Sequence, residues 1–107
     1  MAYKKYCFTT LAENDINEIC NYISTVLLNQ VAAKELVIEI ERIINNTILF
    51  PEMYPLVSNE FIKRTDIRKV NVKNFVMYYV YDKEQENITI LRVAYNKKDL
   101  KLTLGNI

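Results

Sequence analysis

Ten of the fourteen Lys and Arg residues lie after Asn59, so the groups able to hold a phosphate or a carboxylate gather late in the chain. Residues 60–107 carry ten cations against six acids, a net +4, whereas residues 1–59 carry four against seven, a net −3. Among the late cations, Arg68, Lys69, Arg92, Lys97 and Lys98 are the candidates for contacting a nucleic acid or an acidic protein, since a one-signed surface steers a partner of opposite sign. An ordinary mixed, solvated surface is the competing reading of the same charges. The strand tyrosines Tyr78, Tyr79 and Tyr81 have faces on which bases could stack, although β-propensity alone accounts for aromatic residues there. No histidine occurs, which removes the commonest general base and the commonest metal ligand and excludes His-based hydrolysis and most zinc chemistry. Cys7 and Cys20 are too few and too isolated for a metal site and read as reduced, buried thiols. No metal and no cofactor is expected.

These side chains need a scaffold, and 107 residues have room for one domain, residues 1–107, with one core. Half of the residues are apolar and a quarter charged, with one Gly and two Pro, a composition that packs rather than stays disordered. Charges interrupt every apolar run before the ~18 to 20 residues of a membrane span, so no membrane is expected. The opening Met1-Ala2-Tyr3-Lys4-Lys5-Tyr6 lacks the apolar stretch of a secretory signal, and the expected location is the cytoplasm.

In residues 5–10, Tyr6, Phe8 and Thr10 alternate with Lys5, Cys7 and Thr9, an aromatic and β-branched content that predicts a first strand. Thr10-Leu11-Ala12-Glu13 has the form of a capping box, which predicts a helix start at Thr10. Ile16, Ile19, Cys20, Ile23, Val26 and Leu27 then recur at steps of three and four. After a polar break at Asn29-Gln30 a second amphipathic helix carries Ala33, Leu36, Val37, Ile40, Ile43, Ile44 and Ile48 on one stripe. Two helices joined by so short a break form an antiparallel hairpin whose stripes need a third surface. Residues 52–65, with Pro51 before them and Pro55 among them, read as an irregular connection. Residues 67–73, 75–82 and 88–95 are three strand candidates in an antiparallel meander. The order βααβββ predicts an α+β fold in which the hairpin packs on one face of a sheet, buries Ile16, Ile19, Ile23, Leu36, Ile40 and Ile44, and leaves the other face to a partner.

Asp15-Ile16, Ile19, Tyr22-Ile23, Ala32-Ala33, Ile40, Ile43 and Phe50-Pro51 together resemble the helical hairpin of the RelE/ParE toxin superfamily. Ile67-Arg68-Lys69-Val70, Asn74 through Val80, and Ile88 through Leu100 resemble its three meander strands and basic tail, so the resemblance runs over about residues 5–100. It implies the toxin of a type II toxin–antitoxin pair, restrained by a cognate antitoxin in a hetero-oligomer. ParE-like members block DNA gyrase and are not nucleases; RelE-like members cleave messenger RNA on the ribosome without metal. A non-toxic interaction module is a third reading, because a fold does not guarantee a working site.

Two positions depart from the nuclease pattern. Its Arg-x-x-Tyr motif, counted back from Tyr79, falls on Val76, and Tyr95 stands where many relatives carry His. Ribonucleolysis needs a base for the 2′-hydroxyl, a cation for the phosphorane and an acid for the leaving oxygen. Tyr95 is the candidate proton-transfer group, and then only with a perturbed pKa. Against these roles, Arg68 could snorkel from the rim of an apolar face, Arg92 could share a face with Ile88 and Ile90 and pair with an acid on a neighbouring strand, Tyr95 could be a half-buried core phenol, and Lys97-Lys98 a solvated turn. On balance, the expected function is ParE-like gyrase inhibition, with RelE-like messenger cleavage as the alternative.

Overall fold

The computed structural model describes residues 5–105 and 107. Within residues 5–10 only β1 (Tyr6–Phe8) is strand, with Tyr6 and Phe8 turned inward edge to face, ring centres 5.9 Å apart, and Cys7 turned out to solvent. The exposed Cys7 corrects the expectation that both thiols are buried; both are free, and burial pushes the Cys20 thiol up. Helix α1 (Thr10–Asn21) starts one residue earlier than a capping box at Thr10 would place it. Thr9 is extended and its hydroxyl accepts from Ala12 N–H at 3.1 Å, so Thr9 is the cap and Glu13 N–H bonds its carbonyl instead.

Past Asn21 the helix widens into a π turn, Tyr22–Val26, and the chain reverses through Leu28 at φ 51°, the left-handed region. Asn29 accepts from Ala32 N–H at 3.0 Å and caps α2 (Gln30–Leu49). Strands β2 (Arg68–Val72), β3 (Phe75–Asp82) and β4 (Asn87–Tyr95) form the expected antiparallel meander, and β1 joins β4 in parallel to give the order β1-β4-β3-β2. The fold is the α+β arrangement expected from the element order.

On the hairpin face, Leu36, Ile40, Ile43 and Ile44 of α2 close over Val72, Met77, Tyr79, Ile90 and Val93. The α1 stripe departs from expectation: Ile16, Ile19 and Ile23 are only half-buried, and Val26 and Leu27 are exposed. α1 runs beside β4 and β1, whereas α2 approaches β2 at the other edge of the sheet.

The second face is not left open either. β3 is apolar on both sides, and Val76, Tyr78 and Leu91 are covered by Val57, Ile62 and Ile67 of the connection and by Leu104 of a short helix, α3 (Leu100–Leu104). Asp99 caps α3 by accepting from Lys101 N–H at 2.9 Å. The connection has no helix or strand of its own but is tied down: Val57 N–H donates to Ile67 O at 2.7 Å, Lys69 N–H to Pro55 O at 3.1 Å, and the Tyr79 hydroxyl to Pro51 O at 2.7 Å.

Candidate functional site

The register of β4 decides which side chains can act together. Tyr78 pairs with Arg92 but Tyr79 pairs with Ile90, so Leu91 is an extra residue, a β-bulge, in β4. A bulge shifts the inward and outward alternation by one. Ile88 and Ile90 face the hairpin, Leu91 and Arg92 face the other way, and Val93 returns to the hairpin core. The expected shared face of Arg92 with Ile88 and Ile90 is thereby overturned, as is the run Leu91, Val93, Tyr95 along one face.

Beyond Phe8 there is no β1 to pair with the outer edge of β4, and the cap residue Thr9 and α1 supply the missing partners. Thr9 N–H donates to Ile90 O at 3.0 Å and the Thr9 hydroxyl to Leu91 O at 2.8 Å. Asp15, one turn into α1, accepts Val93 N–H at 3.0 Å. The same carboxylate takes both sides of the Arg92 guanidinium, Nε at 2.7 Å and Nη2 at 2.9 Å, while Nη1 donates to Thr103 O of α3 at 3.1 Å. Arg92 and Asp15 are 15% and 12% exposed, and the hydrogen bond from Arg92 to Asp15 raises the guanidinium pKa against the opposing effect of burial. The acid paired with Arg92 is on a helix, not on a neighbouring strand. The signal for Asp15 in the sequence is its place on the stripe between Ala12 and Ile16, where a lone acid needs a partner.

Arg68 is likewise occupied. Its Nη1 donates to Tyr54 O at 2.7 Å and Glu52 O at 3.2 Å, and Nη2 stands 3.8 Å from the Glu52 carboxylate, so it fastens the connection to the rim of β2. Lys69 is exposed on β2 in the same row as Tyr78 and Arg92. The next row holds Asn71, Val76 and Ala94, so the position lacking the nuclease arginine is buried and apolar. Tyr95 is 49% exposed and sits edge-on to Phe75, ring centres 6.1 Å apart, rather than in the core. Lys97 and Lys98 follow it in an exposed turn closed by Lys98 N–H on Tyr95 O at 2.9 Å.

The structure thus brings Lys69 and Arg92 into one row and places Tyr95 beside Lys97 and Lys98. Arg68 lies four residues along β2 from Val72, the partner of Phe75 and hence of the Tyr95 row, about 13 Å away. Burial raises the Tyr78 hydroxyl and pushes that of Tyr79 up to about 12, so both phenols keep their protons near neutral pH and neither is a base. Among the described residues no cluster of His, Cys, Asp or Glu could hold a metal, and no helix is long and apolar enough to cross a membrane.

The profile of the ParE toxin of type II toxin–antitoxin systems, parDE, matches residues 6–100. The chain belongs to the ParE toxin family. The chromosomal ParDE toxin–antitoxin system of P. aeruginosa contains a chain with the same fold, 16% identical, aligned over 86% of this toxin and 95% of that chain with a TM-score of 0.64. A conserved hypothetical protein of Helicobacter pylori aligns over 90% and 98% at 14% identity with a TM-score of 0.56. The toxin–antitoxin complex RelBE2 of Mycobacterium tuberculosis contains a chain 18% identical over 89% and 100%, with a TM-score of 0.49. No curated protein matches the sequence. In this ParE-family toxin the arginine of the closing strand is bound to Asp15 and Thr103 O, and the exposed polar groups past the C-terminal end of β4 include Tyr95, Lys97 and Lys98.

Proposed function

We propose that this toxin acts as the ParE-like resemblance implies, by inhibiting DNA gyrase without cutting RNA, and that a cognate antitoxin restrains it. The supporting observation is the Asp15–Arg92 pair: a guanidinium held on three sides by Asp15 and Thr103 O is not free to face a phosphorane. Val76 is buried at the position of the nuclease arginine, and Tyr78 and Tyr79 keep their protons, which supports a role without proton transfer from the middle of the sheet. Lys69, Lys97 and Lys98 remain as exposed cations for target contact, a role that needs charge and no proton transfer.

The purified toxin should inhibit gyrase supercoiling and leave a reporter message intact on translating ribosomes. Charge reversal, Lys97→Glu with Lys98→Glu, should weaken inhibition, and Tyr95→Phe should change it little. Ribosome-dependent cleavage that falls ~10²- to 10⁴-fold in Tyr95→Phe would overturn the reading in favour of a ribonuclease.

A further inference from the structure

Neither the paired arginines nor the exposed lysines account for a cleft built wholly from the acidic first half of the chain. It opens between α1 and α2 beside β1 and encloses about 350 Å³, at the small end of the range for ligand sites. Tyr6 and Phe8 of β1, Ile16 of α1, and Val37, Ile40 and Ile44 of α2 give it an apolar lining. The packing leaves that lining unfinished: Tyr6, Phe8 and Ile16 are half-buried, and Val37 is exposed. Two exposed carboxylates complete the cleft, Glu13 on α1 and Glu41 on α2, with the Asn17 amide one turn beyond Glu13. Among the described residues no Lys or Arg lines it and neither carboxylate is in an ion pair, whereas Asp15, Glu39 and Asp66 each hold an arginine.

We infer that this cleft is a binding site for a small organic cation, one with an apolar body and an ammonium or guanidinium head. The apolar lining selects the body, because the gain comes from apolar surface withdrawn from water. The carboxylates select the head. Two like charges at one opening repel each other, and a positive group placed against them relieves that repulsion, while the Asn17 carbonyl is an acceptor for its N–H. An aromatic ring whose face meets the cation attracts it further, and β1 contributes two rings, Tyr6 and Phe8. An anion, a nucleic-acid phosphate included, meets the wrong sign here. A bare metal ion finds two carboxylates and an amide, too few for a metal cluster among the described residues. A bound cation would bury side chains of β1, α1 and α2 together, so it should stabilise the fold. The inference is independent of the gyrase reading, since none of the target-contact lysines lines the cleft.

A matched series of probes tests it: phenylbutylammonium, its uncharged counterpart phenylbutanol and its anionic counterpart phenylbutyrate, each titrated into the purified full chain and followed by backbone amide NMR. The cation should shift the amides of Phe8, Ile16, Val37 and Ile40, saturate with a dissociation constant of about 1 mM, and raise the melting temperature. The alcohol should bind about tenfold more weakly and the anion more weakly still. Glu13→Gln and Glu41→Gln, at exposed positions, should leave the chain folded and each weaken the cation about threefold. Glu18→Gln, on α1 but outside the lining, should leave its affinity unchanged. Equal affinity for the ammonium and the alcohol would overturn the inference and make the cleft a purely apolar one. Absence of saturable binding up to about 10 mM, or a response to Glu18→Gln as large as that to Glu41→Gln, would overturn it as well.

Discussion

The two faces of the sheet are closed by different physics. On the hairpin face a twenty-residue helix packs Leu36, Ile40, Ile43 and Ile44 against apolar side chains of β2, β3 and β4, and apolar burial aligns it. On the other face the cover is an irregular connection and a five-residue helix, too little apolar area to fix its own position. There Arg92 ties α3 to the sheet through Thr103 O while gripping Asp15, and on the hairpin side of β2 and β3 Arg68 and Tyr79 fasten the start of the connection through Tyr54 O, Glu52 O and Pro51 O. Directional bonds substitute for area where area is scarce. Two of the candidate cations, Arg68 and Arg92, thus make bonds that hold the fold together.

The sharpest way to break this contrast is Ile40→Ala, which should lower stability by roughly 2 to 5 kcal/mol in denaturant melts through lost transfer energy and an unfilled cavity. A loss below ~0.5 kcal/mol would mean that α2 does not carry the hairpin face. Next in size, Arg92→Ala should cost about 2 kcal/mol, below the 3 to 5 of a fully buried broken pair because Arg92 and Asp15 keep some contact with water. Its damage should be local, seen as faster hydrogen exchange in α3, and Arg92→Lys should rescue poorly because an ammonium cannot fork across a carboxylate. Equal loss of protection in α2 and α3 would erase the distinction between the faces.

Tyr79→Phe should cost about 1 kcal/mol by leaving Pro51 O without its donor. The Tyr79 hydroxyl is raised from its ordinary 10 to about 12 in the folded chain, so the folded state holds that proton more tightly than the unfolded one. The resulting stability is complete below pH 10 and declines as the pH climbs toward 12; Tyr79→Phe should make this decline shallower. The smallest effect belongs to Lys97→Ala, an exposed turn residue, whose stability change should stay within about 0.5 kcal/mol even where target inhibition falls.

Elements with long periodicity were legible from sequence, and those set by tertiary pairing were not. The α2 stripe and the three meander strands follow from spacing, and their observed bounds differ from the expected ones by a residue or so. Thr9 and Thr10 are chemically alike as caps, so only the end of β1 decides between them. Leu100–Leu104 is too short to show a helical period, though Asp99 followed by Leu100 and Leu104 four apart carried a faint cap and stripe. The bulge at Leu91 left no mark in a run of apolar residues, and it decided the face of Arg92 and Tyr95. The Asp15 partnership spans 77 residues, and a lone acid on an apolar stripe says that a partner exists without saying which.

The parallel pairing of β1 with β4 bears on the order in which the molecule is assembled. Cys7 lies opposite Thr89, and Thr9 reaches Leu91, 82 positions further along the chain. The first strand therefore emerges during synthesis long before the strand it must join, while the hairpin and the meander are built from neighbours. Closing so long a loop is entropically slow, and contacts of this range form late. The nascent chain can shape both helices and the β2–β3 ribbon while still being made, but its sheet stays incomplete until the last fifth of the sequence has been translated.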